Sequence, residues 1–175
     1  MDINDAWKDT CKVLLGDEIG DLVRYEHYLT RYVEPLYEKK SALSGQNVIV
    51  SRPDFAPRSK FISNDEMAAY GAKIKSLPLN INQIKDLDSL LEAVGENFYY
   101  SGSQITGNSS HVIESDNVID SQVIYRSAQI WGCKFMAYCS MCRMAEFLFG
   151  VNWCSTSKYL VNAYETYKQT RCMET

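Results

Sequence analysis

From position 108 the chain divides into twelves whose columns agree: NSSHVIESDNVI, DSQVIYRSAQIW, GCKFMAYCSMCR, MAEFLFGVNWCS and TSKYLVNAYETY, then a partial KQTRCMET. The second column holds Ser109, Ser121, Cys133, Ala145 and Ser157, and the eighth holds Ser115, Ser127, Cys139, Val151 and Ala163. All are small. The fifth holds Val112, Ile124, Met136, Leu148 and Leu160, and the eleventh holds Val118, Ile130, Cys142, Cys154 and Thr166. Small and apolar positions therefore alternate every three residues. A repeated column set of this kind predicts coils that stack on one another, because no single coil can bury its own apolar side.

A helix is the competing reading of a three-residue alternation. Ser, Thr, Asn, Tyr, Val and Ile dominate the stretch, and no helical stripe persists across Gly132 and Gly150. The expected fold class is therefore α+β: a helical N-terminal module over 1–45, a mixed connector with short strands and two helices over 46–96, and a C-terminal parallel β-solenoid (β-helix) of 12-residue repeats over 97–175. Strands stacked about 4.8 Å apart would set the small residues in ladders and the aliphatic ones in the core.

The twelve-residue spacing of small and apolar inward residues is similar to the flat β-solenoid of insect antifreeze proteins. The resemblance covers 108–175 and is architectural: the outward threonine array that binds ice in that family has no counterpart here. That family's coil is narrow, and Met136, Leu148 and Leu160 raise the alternative that two twelves form one wider coil. The left-handed β-helix of hexapeptide acyltransferases, with eighteen-residue coils, fits less well. Val123, Phe135, Phe147 and Tyr159 recur at twelve, as do Gln122, Lys134, Glu146 and Lys158, and a spacing of eighteen would mix these classes. A looser similarity runs to right-handed β-helices such as the tubulin-cofactor C domain, without its motif residues.

Before the repeat, Trp7, Cys11, Leu14 and Leu15 fall on one helical face behind a cap at Asp2 or Asn4. After Gly16, Ile19, Leu22, Tyr25, Leu29, Val33 and Leu36 predict an amphipathic helix of about five turns, bent or ended near Pro35. Tyr25, Tyr28, Tyr32 and Tyr37 flank it, as a docking surface or as packing onto the rest of the domain. Residues 48–50 and 60–62 read as short strands. Ser63 to Glu66 reads as a capping box for a helix reaching Lys75, and Asn80 or Asn82 as the cap of a helix from Gln83 to Gly95.

The net charge of −4, with dispersed basic residues, gives no footprint for nucleic acid. No apolar run approaches the length of a membrane span, and the start of the chain lacks a basic leader before an apolar stretch. The expected setting is the cytoplasm or an assembly formed there, with six reduced cysteines and an idle sequon at Asn108. Neither a phosphate-binding glycine loop nor a partnered His27 or His111 announces catalysis, and Asp17, Glu18 and Asp21 read as a helix-start cluster.

Cys133, Cys139, Cys142 and Cys154 contain one CxxC and could hold zinc or an iron–sulfur cluster. All four occupy ladder columns, where a thiol reads better as a small core residue, so no cofactor is expected. The column Val123, Phe135, Phe147 and Tyr159 is either core or an outward aromatic stripe suited to a protein contact. The leading expectation is a non-enzymatic structural or assembly protein. It would bind itself or another protein as a homo- or hetero-oligomer, through the solenoid surface, its open end or the tyrosine flank, as a subunit of a virus particle or other large assembly would. The alternative is a small-molecule- or metal-binding protein, or an enzyme, built on the cysteine group.

Overall fold

The computed structural model describes residues 1–55, 59–75, 82, 84–95 and 97–174. Its C-terminal part is a parallel β-solenoid with one twelve-residue repeat per coil: Lys134 lies beside Glu146, and Met136 beside Leu148. One sheet stacks β5 (Ile105–Thr106), β7 (Asp116–Ile119), β9 (Ala128–Trp131), β11 (Ser140–Arg143), β13 (Asn152–Ser155) and β15 (Tyr164–Tyr167). The other stacks β6 (Ser110–Ile113), β8 (Gln122–Tyr125), β10 (Lys134–Ala137), β12 (Glu146–Phe149), β14 (Lys158–Val161) and β16 (Thr170–Met173). The wider coil of two twelves is thereby excluded, and Met136, Leu148 and Leu160 fit the narrow one fully buried.

The backbone explains the three-residue rule. From His111 to Glu174 every third residue has a positive φ, 44–58° where it is not glycine. The residue after each left-handed position points inward, which places Ile124, Ser127, Ile130, Cys133, Met136 and Cys139 in one continuous core. The other two residues of each triplet face out or sit at a corner. An isolated left-handed residue with a side chain is unfavourable. Here each one is held by the hydrogen-bonded coils on either side of it.

The small columns serve the corners. Ser127 Oγ donates to the Tyr125 carbonyl and accepts the N–H of Cys139 from the next coil, at 2.9 and 3.0 Å. Ser121 Oγ likewise donates to Ile119 O and accepts from Cys133 N. Cys133 and Cys139 repeat the first bond with their thiols. A corner side chain must be short enough to stay inside a narrow coil and polar enough to meet the backbone it turns past.

Ahead of the solenoid, α1 (Ile3–Leu15) starts at Asp2, whose carboxylate accepts the Asp5 N–H, and stops at the left-handed Gly16. Its buried face, Ala6, Trp7 and Cys11, packs across β8, β10, β12, β14 and β16. There it meets Ala137, Phe149 and Val161, the outward apolar column of that sheet. The five-turn helix expected over 19–36 does not form. The segment makes one 3-10 turn at Leu22–Tyr25 and a single turn α2 (Glu26–Leu29), followed by β1 (Tyr37–Lys40). Asn4 draws the Leu22 N–H to its side chain, and Leu22 and Leu29 reach the apolar face separately. Tertiary contacts outweigh a marginal helical periodicity.

β1 pairs antiparallel with β2 (Asn47–Val50), so this hairpin crosses the boundary expected at 45/46. β3 (Lys60–Ser63) pairs parallel with β4 (Tyr99–Gly102). The capping box at Ser63 and Glu66 is present and leads into α3 (Met67–Lys75). The next helix, α4 (Leu87–Gly95), starts later than expected, with Asp86 accepting the Ser89 N–H at 2.8 Å; Asn80 and Gln83 lie outside the described residues. β2 caps the first coil: Ser103 bonds Ile49 in both directions, and Asp116 accepts the N–H groups of Ser51 and Gln104.

Candidate interaction surface

The two sheets have unlike outer faces. The face of the β6–β16 sheet lies under α1 and the 3-10 turn, whereas among the described residues no helix lies across the β5–β15 sheet. Its outward columns follow from the triplet rule. One runs Ile119, Trp131, Arg143, Ser155 and Tyr167, and its neighbour runs Asn117, Gln129, Met141, Trp153 and Glu165. Trp131 is 49% exposed, Trp153 55% and Tyr167 62%.

The Arg143 guanidinium lies 5.1 Å from the centre of the Trp131 ring, and the Lys168 ammonium 5.1 Å from that of Tyr167. Among the described residues no carboxylate pairs with Arg143. Gln129, Met141, Arg143, Trp153, Ser155 and Tyr167 together line a shallow depression of about 430 Å³. Beside it Ser140 Oγ donates to Asn152 Oδ1 at 2.6 Å across adjacent coils. The surface thus joins half-exposed aromatic rings, a thioether, an amide and the Arg143 guanidinium on adjacent rungs.

The aromatic column picked out in the sequence has a different setting. Val123, Phe135, Phe147 and Tyr159 point outward at left-handed positions, on the sheet that α1 covers. Phe135 and Phe147 stack at 4.9 Å and Phe147 and Tyr159 at 5.0 Å; all four are half-buried. Phe135 and Phe147 pack against the cluster around Trp7 and Phe149. Tyr25 leans on Trp7 at 5.4 Å and donates to the Ile19 carbonyl, and Tyr28 donates to Glu174 at 2.7 Å. Tyr25 is thereby tied to α1 and Tyr28 to the last coil of the solenoid. Tyr32 is 48% exposed, beside Tyr164 at the margin of the free face.

Cys133, Cys139, Cys142 and Cys154 all point into the core, and Cys142 lies in register with Cys154. Among the described residues no group of three or more His, Cys, Asp or Glu is placed to hold a metal ion. Burial pushes the Cys133 thiol up to about 12 and the Cys142 thiol up as well. Cys133 and Cys142 are thereby poor nucleophiles at neutral pH, whereas hydrogen bonding with Cys142 draws the Cys154 thiol, buried in the core, down to about 7.

Trp131, Trp153, Arg143 and Tyr167 were not singled out from the sequence. The signal was there: two of the three tryptophans stand in the tenth and twelfth columns, which the small/apolar alternation leaves outside the core. Compared with models of protein families, with curated proteins and with solved structures, the chain matches none.

Proposed function

We propose that this chain is a non-enzymatic protein-interaction module whose free solenoid face grips an extended acidic segment of a partner protein. The observation that carries this reading is Arg143, with no carboxylate partner among the described residues and set among Trp131, Trp153 and Tyr167 on a face that no described helix covers. Trp, Tyr and Arg are the residues that dominate binding energy at protein interfaces. A planar guanidinium braced on a ring is prepared for bidentate bonding to a carboxylate.

Size selects the kind of partner. Five rungs about 4.8 Å apart, each about 13 Å long, give a face of roughly 300 Å². A standard interface between folded proteins needs about 800 Å² per side. This face alone therefore suits a peptide segment better than a second copy or a globular partner.

The test is selection from a random displayed peptide library on the immobilised protein, with Arg143→Glu and Trp131→Ala/Trp153→Ala proteins as counter-targets. The expected result is convergence on peptides with Asp or Glu next to apolar residues, which bind both counter-targets at least tenfold more weakly. Failure to converge, or convergent peptides that bind all three proteins alike, would overturn the proposal.

A further inference from the structure

Between α1 and the covered sheet lies a second feature, independent of the free face. Trp7, Cys11, Leu14 and Leu15 of α1 form one wall of a cavity of about 230 Å³; Ile19, Tyr25 and Tyr28 form another, and Val161 and Met173 of the solenoid close it. Trp7, Cys11 and Val161 are buried at its floor, whereas Leu15, Ile19 and Met173 are 38–46% exposed at its mouth. The helix does not fill the space over the solenoid at this end, so an apolar passage runs from the surface to the Trp7 ring.

The polar groups nearby are already engaged. The Tyr25 hydroxyl donates to the Ile19 carbonyl, the Tyr28 hydroxyl donates to Glu174, and Lys12 pairs with Glu18 at 2.8 Å. The Trp7 indole N–H donates to the Gly20 carbonyl at 3.0 Å, and the Cys11 thiol is buried and held neutral at pH 7. A ligand here finds no free hydrogen-bond partner, so a charged group would lose its hydration without replacement. An apolar cavity of about 150 Å³ stays dry and accepts benzene. By volume this one takes a molecule of about nine or ten carbons.

We infer that this cavity is a binding site for a small, uncharged, apolar molecule, a bicyclic aromatic or a medium-length alkyl chain. Entry runs past Leu15, Ile19 and Met173, and specificity comes from volume and from the cost of burying a charge against an apolar wall.

The experiment is fluorine NMR of 1-fluoronaphthalene titrated with the full chain, with n-nonane and 1-naphthoate as competitors. Saturable broadening that nonane reverses and naphthoate reverses at least tenfold less well is expected. Leu14→Trp, which fills the cavity, should abolish the broadening. Ile19→Glu, at the exposed mouth, should weaken it at least tenfold while the far-ultraviolet circular dichroism stays unchanged. Absence of saturable binding overturns the inference, as does binding that survives both substitutions or that naphthoate competes for as well as nonane does. The Arg143→Glu protein should bind fluoronaphthalene normally, which separates this site from the peptide-binding face.

Discussion

Gly150 lies directly beneath Leu29: a Cβ placed on Gly150 would stand 2.5 Å from the Leu29 carbonyl oxygen and 2.8 Å from its Cα. The solenoid corner and the segment that leaves α2 touch backbone to backbone, and φ at Gly150 is +73°. Gly132 occupies the equivalent corner of the other column with φ +63°, and there a Cβ would meet only the Met144 side chain at 3.6 Å. Gly132→Ala should therefore cost about 1 kcal/mol for the left-handed backbone alone, and Gly150→Ala at least about 2 kcal/mol more because the Leu29 segment must lift. Denaturant melts of both variants check this; equal losses would refute it.

The corner ladder sets a second expectation. Ser127→Leu should destabilise by about 1–3 kcal/mol, because it overpacks a narrow coil and leaves the Cys139 N–H without its acceptor. Lys134→Leu, at an exposed outward position, should stay within about 0.5 kcal/mol. Thermal melts of the two variants should separate clearly.

The two faces should respond oppositely to truncation. Phe149 is fully buried, 5.2 Å from the Trp7 ring, so Phe149→Ala should cost about 3–5 kcal/mol and loosen α1. Trp153→Ala removes a larger side chain from the free face and should change stability by no more than about 0.5 kcal/mol. Chemical denaturation with hydrogen exchange at α1 amides distinguishes them.

Alkaline pH should destabilise the protein through two buried thiols, Cys133 and Cys11. Burial holds Cys133 up to about 12 and Cys11 up to about 11 in the fold, whereas the unfolded chain ionises them near pH 8.5, about the usual thiol value. The unfolded state loses its protons first. Stability is thus retained below about pH 8.5 and falls as pH rises toward these folded values, by up to about 1.4 kcal/mol per pH unit for each thiol. Cys133→Ser keeps a corner hydroxyl, and its loss of stability between pH 8 and 10.5 should be smaller than the native chain's by about 2–3 kcal/mol. Equal losses would show that Cys133 ionises freely in the fold.

Much of the solenoid was legible because its constraint is local and repeated. A coil that closes every twelve residues brings Ser115, Ser127 and Cys139 to the same corner, so the demand for a short side chain returns at a fixed interval. The left-handed backbone at every third residue was not legible. Val123, Phe135 and Tyr159 have no intrinsic preference for it, and only the coils above and below impose it. The segment 19–36 misled for the complementary reason: its helical spacing is real, but the contacts of Asn4 with Leu22 and of Leu29 with the apolar face take precedence.

The candidate surface divides in the same way. The sequence by itself determined which columns turn outward, because inward positions recur every third residue and take only small or apolar groups. It left open which outward column is covered, because that depends on where α1 docks. Trp7, Cys11 and Phe149 meet across more than a hundred residues of chain, and no periodicity encodes such a meeting. Only the tertiary structure decided that Ala137, Phe149 and Val161 lie under a helix while Trp131, Arg143 and Trp153 face water. The physical reason is that one amphipathic helix can bury the apolar column of one sheet, leaving the opposite sheet's rings and guanidinium for something else to meet.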